Sequence, residues 1–185
     1  MSSIVRHMVA RLSVDHLVVA SVDLTVGVAW VEDRLGVAPV LGGVHAGFGT
    51  RNALLGLRGP YLEVMSYDPA QEGRSSRFAE FVLGRDVPAL VTLAIAKADL
   101  DDPVPMSRLR PDGALLSWRV QFTSTPLFFI DWLDSPGPSG LPDGGRLTWL
   151  SVTTPAPSDL AGVRDIEVHE GPWRIEACVD DAPLV

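Results

Sequence analysis

The sequence is poor in cysteine, in basic charge and in long apolar runs, and each shortage removes a class of protein. Cys178 is the only cysteine in 185 residues, so no internal disulfide and no cysteine-built metal cage can form. Lys and Arg number 15 against 23 Asp and Glu, a net charge of −8. The basic residues are scattered, with no Lys/Arg stripe and no interleaved aromatics, which argues against nucleic acid and anionic membranes as partners. No apolar run is long enough to span a bilayer. The opening MSSIVRHMVARL lacks an apolar core followed by small cleavage residues, so the expected location is cytoplasmic. There is no Gly-x-Ser-x-Gly elbow to suggest a serine hydrolase. What remains open is a small-molecule ligand or a metal cation.

Apolar residues are plentiful at 46%, enough to build the core of one domain. Residues 13–21 read as a strand covered on both faces, since both alternating sets are apolar. Asp23 is placed to cap a helix over 24–35, with Leu24, Val28, Val31 and Leu35 on one face and Gly36 ending it. The glycine-rich VAPVLGGVHAGFGT follows as a connection with room for one strand. RNALLGL and PYLEVMSY then read as two strands around a turn at Arg58-Gly59-Pro60. A helix is expected over 75–83, capped by Ser75 or Ser76 and ended by Gly84, burying Phe78, Phe81 and Val82.

The pattern then restarts. ALVTLAIAKADL matches DHLVVASVDL in its apolar run and its Asp-Leu ending, an offset of 76 that sets Thr92 opposite His16. DDPVPMSRLRPDG is too broken by proline for a helix. ALLSWRVQF and PLFFIDWL echo the first strand pair and set Asp131 against Glu63. DSPGPSGLPDGG must be loop. The rest reads as a degraded third copy, expected as an edge addition to the sheet. The segments are therefore a first unit over 13–69, a linking helix over 70–88, a second unit over 89–133, a loop over 134–145 and extra strands over 146–185. All belong to one domain, with a module boundary near 88.

As a set, Asp15-His16, Asp23-Leu24, Leu35-Gly36, His45-x-Gly-x-Gly-Thr50-x-Asn52, Tyr61-Leu-Glu63 and FFIDW (128–132) resemble the glyoxalase-like branch of the vicinal oxygen chelate superfamily. The first-half match spans about residues 13–69, and the second is looser. The resemblance implies an α+β fold: two βαβββ units forming a curved, mixed but mostly antiparallel sheet around a cup, with helices outside. It also implies a divalent metal (Zn, Mn, Ni or Fe) held by strand side chains. Carried over by position, the ligands are His16, Glu63 and Asp131, with Thr92 a weak donor in the fourth place. Relatives often pair units between chains, so a homodimer stays open.

Each candidate also has a structural reading. His16 can bond a backbone carbonyl or Asp15. His45 suits a general acid or base on a mobile rim, while the glycines around it can simply make turns and Asn52 can bond the loop. Glu63 and Asp131 on apolar strands need a cation, a proton or a hydrogen-bond partner. Tyr61 and Phe129 are expected at the cup, Trp118 and Trp132 in the core. His7 and His169 look incidental, and Cys178 inert. Three functions follow. The first is a metal-dependent lyase, isomerase or oxygenase for a small oxygen-bearing metabolite, with His16, Glu63 and Asp131 holding the ion and His45 or one of the carboxylates, Glu63 or Asp131, moving the proton. The second is a metal-free acid–base enzyme of the same fold, and the third a binding protein that performs no chemistry.

Overall fold

The unbroken apolar run inside Ser13–Ser21 makes a strand, β1, that must be covered on both faces, and it lies in the middle of the main sheet. The computed structural model describes residues 12–71, 73, 76–110 and 113–185; His7 and Ser75 lie outside them. Helix α1 (Leu24–Leu35) begins on Asp23, whose carboxylate accepts from the Val26 N–H at 3.0 Å. It ends at Gly36, whose φ of 71° is the left-handed conformation that glycine tolerates best. The chain continues through β2 (Val40–His45), β3 (Thr50–Gly56) and β4 (Tyr61–Tyr67). Half of the glycine-rich connection is thus strand, and His45 and Asn52 sit on a hairpin rather than on a loose rim.

Helix α2 (Arg77–Val82) is capped by Ser76, whose Oγ accepts from the Ala79 N–H. The second unit is β5 (Ala89–Ala96), β6 (Val104–Leu109), β7 (Leu115–Phe122) and β8 (Phe128–Asp131). The sheet runs β2-β3-β4-β1-β5-β8-β7-β6, so its second half mirrors the first about the β1/β5 seam. Among the described residues of this sheet, only β1/β4 and β5/β8 pair in parallel. At the seam, His16 lies opposite Ala94 and Val18 opposite Thr92; the 76-residue repeat exchanges these two pairs, as a local two-fold requires. The edge strands β2 and β6 come into contact, curling the sheet into a nearly closed cup. This is the α+β architecture expected from the sequence.

Two features depart from expectation. Helix α1 covers the outside of the cup, but α2 does not: Phe78 and Val82 join the inward cluster with Phe128 and Ile130. The tail is not an edge strand of the main sheet either. It forms a separate sheet, ordered β10-β9-β11-β12, from β9 (Leu147–Thr154), β10 (Glu167–Glu170), β11 (Arg174–Val179) and β12 (Ala182–Leu184). The second unit has no helix between β5 and β6, where Pro103 and Pro105 forbid one. Its outer face would be bare. Leu150, Val152 and Ile175 of the small sheet fill that place, packing in one cluster with Leu93, Ile95 and Phe129. The Trp173 indole N–H donates to the Val91 carbonyl at 2.9 Å and ties the two sheets together. Among the described residues no helix is long and apolar enough to cross a membrane.

Candidate functional site

The polar part of the cup begins with a fault in β1. The pairing with β5 slips between Val14 and His16, a bulge that lets neighbours which would otherwise face apart reach each other. Asp15 Oδ1 lies 2.6 Å from His16 Nδ1, and Asp15 Oδ2 accepts from the Trp132 indole at 3.0 Å. The other ring nitrogen of His16, Nε2, is 3.3 Å from Glu63 Oε2. Tyr61 stacks on the ring with centroids 4.6 Å apart. His16 is buried between two carboxylates. Burial alone would lower its pKa, but the hydrogen bonds to Asp15 and Glu63 outweigh that and raise it to about 9. It is therefore an imidazolium at neutral pH.

Glu63 is the hub. Burial would push its carboxyl up, yet the His16 hydrogen bond and the Asn52 donor hold it at about 2. Its Oε1 accepts from Asn52 Nδ2 at 2.7 Å and lies 3.6 Å from His45 Nε2.

Asn52 decides the state of His45. Arg108 Nη1 donates to Asn52 Oδ1 at 3.0 Å. A guanidinium has no acceptor, so this contact fixes which end of the amide is oxygen. The amide nitrogen then faces Glu63 and also His45 Nε2, at 3.2 Å. To accept that N–H, Nε2 must be unprotonated, so the ring proton sits on Nδ1, 2.9 Å from Thr50 Oγ1. Burial lowers the His45 pKa in the same direction. His45 is a neutral imidazole and His16 a charged one, set against the two oxygens of a single carboxylate.

These groups line a cavity of ≈ 30 Å³, walled by Phe78, Phe128, Trp118 and Trp132 and closed on one side by Pro138. That is room for one or two waters. His16, His45, Asn52, Tyr61 and Glu63 all reach it. Asp131 does not. It pairs with Arg119 Nη2 at 2.6 Å and accepts from the Leu133 N–H. Phe129 packs on the outer face, and Thr92 donates its hydroxyl to the Pro126 carbonyl at 2.8 Å. Register explains the absence of Asp131. Val18 lies opposite Glu63 and its counterpart Ala94 opposite Phe128, so Phe128 stands where Glu63 stands in the first half. His169 is exposed, near Glu167.

The second half therefore contributes a tied-up hydroxyl and a phenyl ring to the two places where the resemblance implies donors. His16 has both nitrogens on carboxylates, and both oxygens of Glu63 have partners. Among the described residues no group of three or more His, Cys, Asp or Glu is arranged to hold a metal ion. This donor set does not fit the implied divalent metal.

Sequence reasoning does not find Arg108, because its segment reads as a proline-broken connection. The signals were an arginine in alternation with Met106 and the Gly42-Gly43 pair. A Cβ on Gly42 would lie 2.7 Å from Arg108 Nη1, and one on Gly43 would lie 2.7 Å from Arg108 Cδ. The two glycines make the space the arginine fills.

The glyoxalase-like domain family matches residues 14–164. No curated protein matches. Among solved structures, a hypothetical protein from Staphylococcus aureus is 15% identical, with 88% of this chain and 87% of that one covered and a TM-score of 0.59. A mutant of 4-hydroxymandelate synthase from Streptomyces coelicolor is also 15% identical, covering 82% of this chain but 50% of the other, with a TM-score of 0.49. Methylmalonyl-CoA epimerase from Mycobacterium tuberculosis is 23% identical over 72% of this chain and 95% of that one, with a TM-score of 0.42. The mirrored half-sheets meeting at β1 and β5 and the match over 14–164 agree: the chain belongs to the glyoxalase-like domain family of the vicinal oxygen chelate superfamily.

Proposed function

We propose that the chain is an enzyme that moves a proton on a small oxygen-bearing metabolite, an isomerase or lyase, with His45 as base, His16 as acid and no metal in the step. One observation carries the reading: two imidazoles face the two oxygens of one buried carboxylate, His16 held between Asp15 and Glu63 and His45 set against the neutral Asn52 amide, surroundings that favour charge on the first and not on the second. Groups whose surroundings push them apart in this way are the acid and base of a proton transfer. Glu63, ionised and held low, is too weak a base to abstract a proton from carbon; it holds the two rings in place.

In this reaction the Asn52 amide turns fully to Glu63 Oε1 and frees His45 Nε2, which takes a proton from the carbon next to a carbonyl. The C–H electron pair becomes the enolate π bond, and the carbonyl oxygen receives the hydrogen bond of His16 Nε2–H in place of the one to Glu63. His16 then gives its Nε2 proton to the opposite face of the enolate carbon, and the proton on His45 returns to His16 by way of Glu63, which completes an isomerisation. Water exclusion by Phe78, Phe128 and Trp118 strengthens both interactions.

The test is hydrogen exchange in D2O, followed by NMR over a panel of small 2-oxo and 2-hydroxy compounds with a chelator present. The reading predicts catalysed exchange at the carbon next to the carbonyl, abolished in His45→Gln. Exchange that appears only with added Zn, Mn, Ni or Fe would contradict it. So would saturable binding across the panel with no exchange, which is the behaviour of a binding protein.

A further inference from the structure

The cavity is too small for a metabolite, and the space that continues it lies beyond Arg108. A cleft of ≈ 240 Å³ opens where β2 meets the 138–141 loop, lined by Val40, Leu41, Leu116, Arg110 and Leu141. Leu54, Arg108 and Pro138 line the cavity and the cleft alike. Arg108 therefore stands in the wall where the two meet. It is 6% exposed, its Nε is buried with no hydrogen-bond partner, and Nη1 is spent on the neutral Asn52. A buried guanidinium donor left unpaired is costly unless something else arrives to accept it.

We propose that Arg108 is the anchor for the carboxylate of the substrate, which is a 2-oxo or 2-hydroxy acid with an apolar tail. The carboxylate bonds the Arg108 fork where cavity and cleft meet, the reacting carbon lies inward at His45, and the tail lies outward over Val40, Leu41 and Leu116. This substrate class rests on the acid–base reading for where the reacting carbon sits; the anchor itself does not.

Three observations favour it. The cleft lining includes the Arg108 guanidinium and, among the described residues, no carboxylate, on a chain whose net charge is −8. Such a mouth is the place where an acidic protein admits an anion. A carboxylate and a phosphate both fit the guanidinium fork, but a phosphate dianion would meet stronger repulsion from the ionised Glu63 that Asn52 links to Arg108. Finally, Val40 and Leu41 are exposed apolar side chains of β2 at the cleft, suited to an alkyl tail.

The test is binding by the full chain of 2-oxooctanoate, its neutral primary amide and inorganic phosphate. The readouts are the Arg108 Nε–H and the Trp118 and Trp132 indole signals. The acid should bind saturably. The amide should bind at least about tenfold more weakly, and Arg108→Met should weaken the acid by a similar factor. Should Arg108→Met fail to fold, Arg108→Lys keeps the charge and loses the fork, and an intermediate loss is expected. No saturable shift with the acid, equal binding of acid and amide, tighter binding of phosphate, or acid binding unchanged in both variants would each overturn the anchor. His45→Gln should still bind the acid while losing exchange, which separates failure of the base from failure of the anchor.

Discussion

Asn52 joins Glu63 to Arg108: its amide nitrogen is 2.7 Å from Glu63 Oε1 and its oxygen 3.0 Å from Arg108 Nη1. One neutral side chain thereby pairs a buried anion with a buried cation and orients a third group, His45. Replacing it with Leu of similar size would leave a charged donor and a charged acceptor unpaired in an apolar wall. The expected loss is on the order of 3 kcal/mol of stability, measured by urea unfolding, with catalysed exchange lost as well.

Asp15 sets the alkaline limit of stability through His16. The folded pKa of His16, about 9, exceeds the ordinary 6.5, so its contribution is fully present below pH 6.5 and is lost as pH rises through about 9. The loss should be on the order of 3 kcal/mol. Glu63 acts at the other end: its contribution is present above pH 4.5 and is lost as pH falls through about 2. In Asp15→Asn the alkaline decline should still begin near pH 6.5 but be smaller and finish at lower pH, read from unfolding curves between pH 6 and 10. A decline at the same pH in both proteins would show that Asp15 does not hold the charge on His16.

Asp131 and Glu63, equivalent in the sequence pattern, should behave as opposites. Asp131→Asn breaks a pair with Arg119 at the partly exposed edge of the cup and should cost less than about 1 kcal/mol, leaving catalysis intact. Glu63→Gln removes the carboxylate that holds both imidazoles and should lower the rate on the order of a hundredfold. Comparable losses in the two variants would put the reacting groups elsewhere.

The small C-terminal sheet replaces a missing helix, so a chain ending at residue 145 would expose Leu93, Ile95 and Phe129 to water. That chain should aggregate on expression, as size-exclusion chromatography would reveal. A monomeric chain 1–145 that unfolds cooperatively would contradict this role.

The first unit was legible because its signals agree. The Asp23 cap, the Leu24 to Leu35 spacing and Gly36 place α1 at the bounds found, and the alternation of Tyr61, Glu63 and Met65 gives the inward face of β4. The second unit was not legible at its key strand. Phe128, Phe129 and Ile130 are apolar in succession, so a period of two carries no information about which of them faces in. Asp131 then looked like the partner of Glu63 when Phe128 holds that place. The tail read as an edge because pairing is local, whereas the bare face it covers follows only from a helix that proline removed elsewhere. The Asp15 contact needed a bulge, and the Arg108 contact needed closure of the cup between strands far apart in sequence. His16 bonds Asp15, a contact that one of its two sequence readings named, and the charge it carries there follows only from the second carboxylate, Glu63.

The central claim is that His45 is a neutral base beside a charged His16, and the tautomer of His45 tests it most directly. Long-range ¹⁵N–¹H spectra of the imidazole rings at pH 7 separate the two neutral tautomers from the cation. The account predicts His45 neutral with its proton on Nδ1, and His16 protonated on both nitrogens. A protonated His45, or a neutral one with its proton on Nε2, would contradict it.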